Sequence, residues 1–140
     1  MKYARIEKER RFLLDGLPDL PGARVLRITD RYVDGTRLRL RRVEEDGCDP
    51  VLKLGQKVPT DEGIAHTTMY LDRDELNALL QLPAQELHKT RHLLDGWAVD
   101  LHPSGLVLAE TEGDTEPPFA YVREVTDEVE FTGGALAGAR

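Results

Sequence analysis

Thr36-Arg37-Leu38-Arg39-Leu40-Arg41-Arg42-Val43 alternates cations with leucines. Successive side chains of a β-strand point to opposite faces, so Arg37, Arg39 and Arg41 share one face and Leu38 and Leu40 the other. Leu52-Lys53-Leu54 repeats the pattern. Two arrangements satisfy it. A sandwich buries the leucines and leaves the cations in water; an inverted arrangement packs the leucines outward, beneath a helix or a neighbouring sheet, and lines a polar interior with cations. Related clusters recur along the chain: Glu7, Glu9 and Arg11; Lys53 with Lys57; Lys89 with Arg91; Glu110 with Glu112. Acidic and basic faces are assembled from strands far apart in sequence, a layout suited to holding a metal ion and a polyanion together.

Outward from this stretch, turn signals divide the chain into short strands. Arg24 to Val33 is a strand candidate, and Asp34-Gly35 joins it as a hairpin to Thr36–Val43. Residues 3–14 form a first strand, with Ile6, Phe12 and Leu14 opposite Glu7, Glu9 and Arg11, before the Pro/Gly-rich connection Leu17–Gly22. Val51–Gln56 and Ala65–Leu71 follow. One helix is predicted after Asp72, an N-cap with Glu75 three residues on and an apolar stripe of Leu76, Leu79 and Leu80 before Pro83. Glu86–Leu94, Trp97–His102 and Leu106–Glu112 are strands separated by Asp95-Gly96 and Pro103-Ser104-Gly105, and Ala120–Phe131 is a last one beyond Pro117-Pro118. Eight short strands with one or two helices predict a mainly antiparallel sheet, most economically closed as an eight-stranded β-barrel with no exposed edge. Residues 1–132 read as a single domain and 133–140 as a flexible tail.

With 140 residues the chain is long enough for one core without staples. Cys48 is its only cysteine, which excludes an intrachain disulfide and a cysteine zinc site and favours a reducing, cytoplasmic setting. The charged start excludes a signal peptide, and no apolar run is long enough to span a membrane. The net charge of −7 argues against binding a nucleic-acid duplex, yet it hides a division. Residues 1–58 hold 14 Lys/Arg against 10 Asp/Glu, and residues 59–140 hold 5 against 16. A small, highly charged anion is the expected guest.

Paired carboxylates such as Glu7 and Glu9 can share a hard divalent cation, although such a run also suits a solvated strand. Glu110 and Glu112 follow the apolar Leu106–Ala109, and Asp100 sits in the apolar strand Trp97–Leu101; acids there need a compensating cation if they are buried. Arginine offers bidentate donation to phosphate oxygens and lysine a compact charge. Arg37, Arg39, Arg41, Lys53, Lys57, Lys89 and Arg91 together suffice to neutralise a triphosphate. His66, His88, His92 and His102 lack metal-site spacing, and no nucleophilic triad or phosphate-cradling glycine loop is present.

The order of these motifs resembles the CYTH, or triphosphate tunnel metalloenzyme, superfamily. Glu7/Glu9/Arg11, Arg39/Arg41, Lys53, Lys89/Arg91, Leu106–Glu112 and Glu124-Val125-Thr126 match its motifs in order. The resemblance implies an eight-stranded antiparallel barrel whose polar lumen binds the triphosphate moiety of a small molecule with Mg²⁺ or Mn²⁺. It further implies a metal side of Glu7, Glu9, Asp100, Glu110 and Glu112, a phosphate side made of the arginines and lysines, and a catalytic group of Glu7, Glu9, Arg11 and Tyr32. The implied activity is hydrolysis of inorganic triphosphate or a triphosphorylated small molecule; a class IV adenylyl cyclase and a non-catalytic triphosphate or polyphosphate binder are the alternatives, and pairing of two barrels stays open. Three departures stand out. Arg11 replaces the usual lysine, His66-Thr67-Thr68-Met69-Tyr70 stands where the family has another acidic pair, and the short C-terminus predicts an open tunnel mouth.

Overall fold

The computed structural model describes residues 1–140. Ten strands form one antiparallel sheet: β1 (Arg5–Glu7), β2 (Glu9–Leu14), β3 (Arg24–Val33), β4 (Leu38–Glu44), β5 (Val51–Thr60), β6 (Gly63–Tyr70), β7 (Ala84–Leu94), β8 (Trp97–Leu101), β9 (Val107–Glu112) and β10 (Arg123–Glu124). Helix α1 (Arg73–Leu79) follows β6 and α2 (Gly133–Ala137) ends the chain after a 3-10 turn at Val129–Phe131. The strand order is β1-β6-β5-β4-β3-β7-β8-β9-β2-β10. No helix is long and apolar enough to cross a membrane.

The sheet curls but stays open, so the closed eight-stranded barrel expected from the sequence is corrected. The continuous segment 5–14 serves both of its ends: β1 pairs with β6, the chain breaks register at Lys8, and β2 pairs with β9. Closure would require β6 to continue alongside β2. That edge is instead taken by β10, and the backbone N–H groups of Val122 and Val125 donate to the carbonyls of Leu13 and Arg11. The same contacts correct the last expected strand, Ala120–Phe131, of which only two residues pair.

Local signals account for the connections. Asp95 and Gly96 both adopt positive φ, 50° and 81°, the conformation a two-residue hairpin needs to match strand twist, and they join β7 to β8. Asp72 caps α1 in a reciprocal box with Glu75, as its spacing predicts.

The alternation in β4 resolves to the inverted arrangement. Leu40 is 2% exposed on one face while Arg39 and Arg41, 9% each, are buried on the other. Register places Leu40 beside Leu54 of β5, on the side against which α1 packs with its buried Leu76. A second apolar layer lies on the outer face of β2, β8 and β9, where Phe12, Leu14, Trp97, Val99, Val107 and Ala109 form a cluster covered by Leu20 and Phe119. Apolar packing therefore lies largely outside the curl, and ionic groups line its inner face.

Residues 133–140, expected as a flexible tail, contain α2, and the carbonyl of Arg140 accepts from the Gly35 N–H at 2.8 Å. Gly133 lies against Tyr32: a β-carbon there would come within 2.0 Å of the Tyr32 hydroxyl oxygen. The backbone cannot approach so closely with any side chain in place. Gly133→Ala is therefore expected to detach α2 or to cost about 1–3 kcal/mol as overpacking does; limited proteolysis at the C-terminus and a urea titration will read it.

Candidate functional site

Cross-strand register brings the ionic groups of the inner face together in opposite-charge pairs, the arrangement that stabilises a ladder. Asp30 faces Arg41, Arg91 faces Asp100, and Arg11 faces Glu110. Arg41 donates to both Asp30 oxygens, at 2.7 and 2.8 Å, and Arg91 to both Asp100 oxygens, at 2.8 Å each. Lys89 Nζ lies 3.0 Å from Asp100 Oδ2, and Arg11 Nε donates to Glu110 Oε1 at 3.2 Å. Asp30 and Asp100 are 0% and 1% exposed, and each stays ionised below the usual carboxylate range because donors from arginine overcome the cost of burial.

Positive charge exceeds this pairing. Arg39 Nε is buried with no hydrogen-bond partner and stands 3.9 Å from Asp30. Burial and the charge of Arg41 lower the pKa of Arg39; burial and the charges of Arg41, Arg39 and Arg91 lower that of Lys53. Arg39 lines a cavity of about 350 Å³. Arg37, Arg39, Lys57 and Arg11 meet Glu7 and Glu9 there, with Tyr32, Gly55, Pro59, Ile64, Thr126 and the Thr132–Gly134 segment in the wall. The chain end thus forms part of the cavity wall.

No protein-family model matches the sequence, and no curated protein matches it. Solved structures do. Two structures of NE1496, described in one case as a hypothetical protein and in the other as an inorganic triphosphatase, superpose with TM-scores of 0.60 and 0.61 at 24% and 22% identity. They cover 94% and 97% of this chain and 97% of theirs. A candidate adenylate cyclase from Bacillus halodurans superposes with a TM-score of 0.51 at 19% identity, over 81% of this chain and 83% of its own. The chain shares the fold of these structures, which are CYTH-type triphosphate tunnel proteins. In this chain the sheet is open and its inner face takes the place of the tunnel wall.

The tunnel fold distributes the expected metal side unevenly. No three Asp, Glu, His or Cys side chains converge at metal-binding distance. Asp100, expected among the ligands, is engaged on both oxygens by Arg91 and on one by Lys89. Glu7 accepts from His66 Nδ1 at 2.8 Å and lies 3.8 Å from Lys57. Glu112 is exposed at the end of β9, where it accepts from the Lys8 N–H at 3.4 Å. What remains is Glu9 with Glu110. The two acids line one pocket of the sheet and act on each other: burial first, then the hydrogen bond and charge of Glu110, push Glu9 up, while the bond from Glu9 and the charges of Arg11, Lys89 and Arg91 outweigh burial and hold Glu110 down. A hard divalent cation usually takes one or two carboxylates and completes its shell with water and phosphate. Glu9 and Glu110 are two hard oxygen donors of the kind such a cation takes.

The raised pKa of Glu9 has a measurable consequence. With its pKa pushed up to about 8, Glu9 keeps in the folded state a proton that the unfolded chain releases near 4.5. The native state then binds more protons between those values, so stability falls as pH rises through that window, by on the order of 4 kcal/mol. Glu9→Gln retains a donor and cannot ionise. Urea unfolding at pH 5 and pH 8.5 is expected to show the fall in the parent protein and a flatter profile in the variant; parallel profiles would mean that Glu9 does not hold a proton in the folded state.

Tyr32, expected to work beside the first-motif residue, lines the same cavity as Arg11 and stands opposite Arg39 in register. Burial and then the charge of Asp30 raise its pKa, so its phenol stays protonated. Glu124 turns outward to Arg10, whereas its neighbour Thr126 accepts from the Arg11 N–H and reaches the cavity. Asp30 and His66 were not among the expected site residues. Asp30 shares the Ile28/Asp30/Tyr32 face of β3, and its alternation there was the available signal; nothing in the sequence indicated that His66 would meet Glu7 across β1 and β6.

Proposed function

We propose that this protein is a phosphohydrolase acting on inorganic triphosphate or a triphosphorylated small molecule. One observation carries the reading: the cluster of Arg39, Arg41, Lys53, Lys89 and Arg91 forms ion pairs with Asp30 and Asp100 alone, and it leaves the buried Arg39 Nε with no hydrogen-bond partner. Unpaired buried donors and excess cations are costly unless an anion completes them. The neighbouring structure named an inorganic triphosphatase supports the same substrate class.

In this mechanism Arg37, Arg39, Lys53 and Lys57 bind and orient the phosphate chain, while Arg41, Arg91 and Lys89 hold the positive field in place through Asp30 and Asp100. Preorganised charge of this kind is the main protein contribution to phosphoryl transfer. Mg²⁺ or Mn²⁺, when bound by Glu9 and Glu110, would neutralise further charge on the phosphates. Arg11 cannot serve as a neutral amine near pH 7, since guanidinium does not deprotonate, and its bond to Glu110 makes it a fixed counter-charge.

A cyclase would need a pocket for the base, and the cavity is lined mainly by charged and polar side chains. Phosphate release from inorganic triphosphate, ATP and thiamine triphosphate, each with Mg²⁺ and Mn²⁺ and with cyclic AMP monitored, tests the proposal. Release from at least one substrate supports it. Cyclic AMP without phosphate release, or tight triphosphate binding with no product, refutes hydrolysis in favour of a cyclase or a binding protein.

A further inference from the structure

A second cavity, of about 580 Å³, lies apart from the one that Arg39 lines. Ile28 borders the second and Tyr32, on the same face of β3, the first; at about 3.3 Å per residue they stand about 13 Å apart, with the Asp30–Arg41 pair between them. Two buried polar side chains line the second cavity: Lys89, whose side chain is 8% exposed, and His102, 6%. The β7–β8 ladder ends with Thr90 opposite Leu101, so Lys89 and His102 are the next residues along and lie side by side just past it. Neither is fully paired. Lys89 has three N–H donors and one ion pair, 3.0 Å to Asp100, whose two oxygens already accept from Arg91. His102 is held through its backbone, where its N–H donates to Leu106 and its carbonyl accepts from Gly105, both at 2.9 Å; its ring makes no hydrogen bond. Buried polar side chains normally have partners, so incompletely paired donors side by side at one cavity point to a missing acceptor. Glu44, the one acid of the lining, does not supply it, being engaged by Arg42 at 2.9 Å.

We propose that this second cavity is a binding site for orthophosphate, whose oxygens accept from Lys89 Nζ and from an N–H of the His102 ring. A tetrahedral oxyanion presents several acceptors at once, and lysine meets it with a compact charge. Imidazole carries an N–H in either neutral tautomer, so His102 is a donor in every protonation state. The hydroxyls of Thr29 and Thr90, which also line the cavity, add neutral donors. Lys89 keeps its contact with Asp100 while its remaining donors turn to the anion. Neither Lys89 nor His102 lines the first cavity, so the two cavities can hold anions at the same time. Orthophosphate is a product of the hydrolysis proposed above, and this site would hold it away from the cavity of Arg39. The binding itself belongs to the resting fold and does not depend on that reaction.

Titration of the ¹⁵N-labelled protein with sodium phosphate, with sodium chloride at matched ionic strength as the control, tests the site. Saturating shifts of the His102 ring and of the Thr29 and Thr90 amides, absent in chloride, are the expected result. No saturating shift there, shifts confined to Tyr32, Arg39 and Gly55 at the first cavity, or equal shifts in chloride overturn the proposal. His102→Leu is expected to weaken phosphate binding at Thr29 and Thr90 about tenfold or more, the loss of one hydrogen bond to a charged group, and to leave the response of Tyr32 and Gly55 as in the parent. Parent-like affinity at Thr29 and Thr90 in that variant overturns the assignment. Should His102→Leu fail to fold, the parent titration is the test. A protein that releases no phosphate from any triphosphate loses the hydrolase reading and keeps this site, so the two fail separately.

Discussion

Asp100→Leu is expected to destabilise the fold by about 3–5 kcal/mol, the penalty for breaking a buried ion pair from one side. The substitution removes the acceptor of three contacts, two from Arg91 and one from Lys89, in a place where Asp100 is 1% exposed. Lys89 is itself buried, with an 8% exposed side chain, and cannot turn to water without leaving the strand. The variant is expected to regain part of the loss in millimolar triphosphate, because an anion can replace the missing counter-charge. Asp100 also contributes to stability against acid. Its folded pKa lies below the ordinary carboxylate value, so its contribution is complete above that value and is lost as pH falls below it. Urea midpoints of parent and variant at pH 7 and pH 3, with and without triphosphate, check all three outcomes. A ligand role for Asp100 would instead leave the metal-free stability almost unchanged.

Arg39→Lys is expected to lower kcat/KM by about 10²-fold or more, the scale of losing one preorganised donor to a charged transition state. The change preserves the charge and the length of the side chain approximately. It removes the planar donor set, including the unpartnered Nε, that suits phosphate oxygens. Most of the loss should appear in KM if Arg39 chiefly holds the substrate. Stability should hold or rise slightly, since Arg39 Nε is 3.9 Å from Asp30 and makes no hydrogen bond. Arg41→Lys is the contrast, because it breaks a two-pronged bond to Asp30 and should act on folding. Equal kinetics for parent and Arg39→Lys would remove Arg39 from the phosphate-binding set.

The strands were legible because a period of two, punctuated by Asp-Gly and Pro-Gly turns, is a local property. Arg37, Arg39 and Arg41 announced a shared face, Asp72 and Glu75 announced the start of α1, and Asp95-Gly96 announced its hairpin. Less was visible where the chain departs from one register. Lys8 shifts the first strand from one partner to another, and the segment around Val122 and Val125 occupies an edge that closure would use. Both depend on which chain segments compete for the same backbone groups, and no window of sequence contains the competitors. The acids showed the same limit. Glu7, Glu9, Asp100, Glu110 and Glu112 read alike along the chain, yet Asp100 pairs with Lys89 and Arg91, Glu7 with His66, and Glu112 is exposed.

Alone, the sequence determined a mainly antiparallel chain with acidic and basic strand faces, and the order of those faces was enough to name the fold. Side-chain alternation is fixed by backbone geometry, so it survives translation from string to structure. Tertiary structure decided which face is inside, that the sheet remains open, and which charges are free. Coulomb energy and desolvation depend on separation and burial, and both are set only when strands distant in sequence meet. It is for that reason that Asp30 and His66, unremarkable along the chain, meet charged partners from other strands, Arg41 and Glu7.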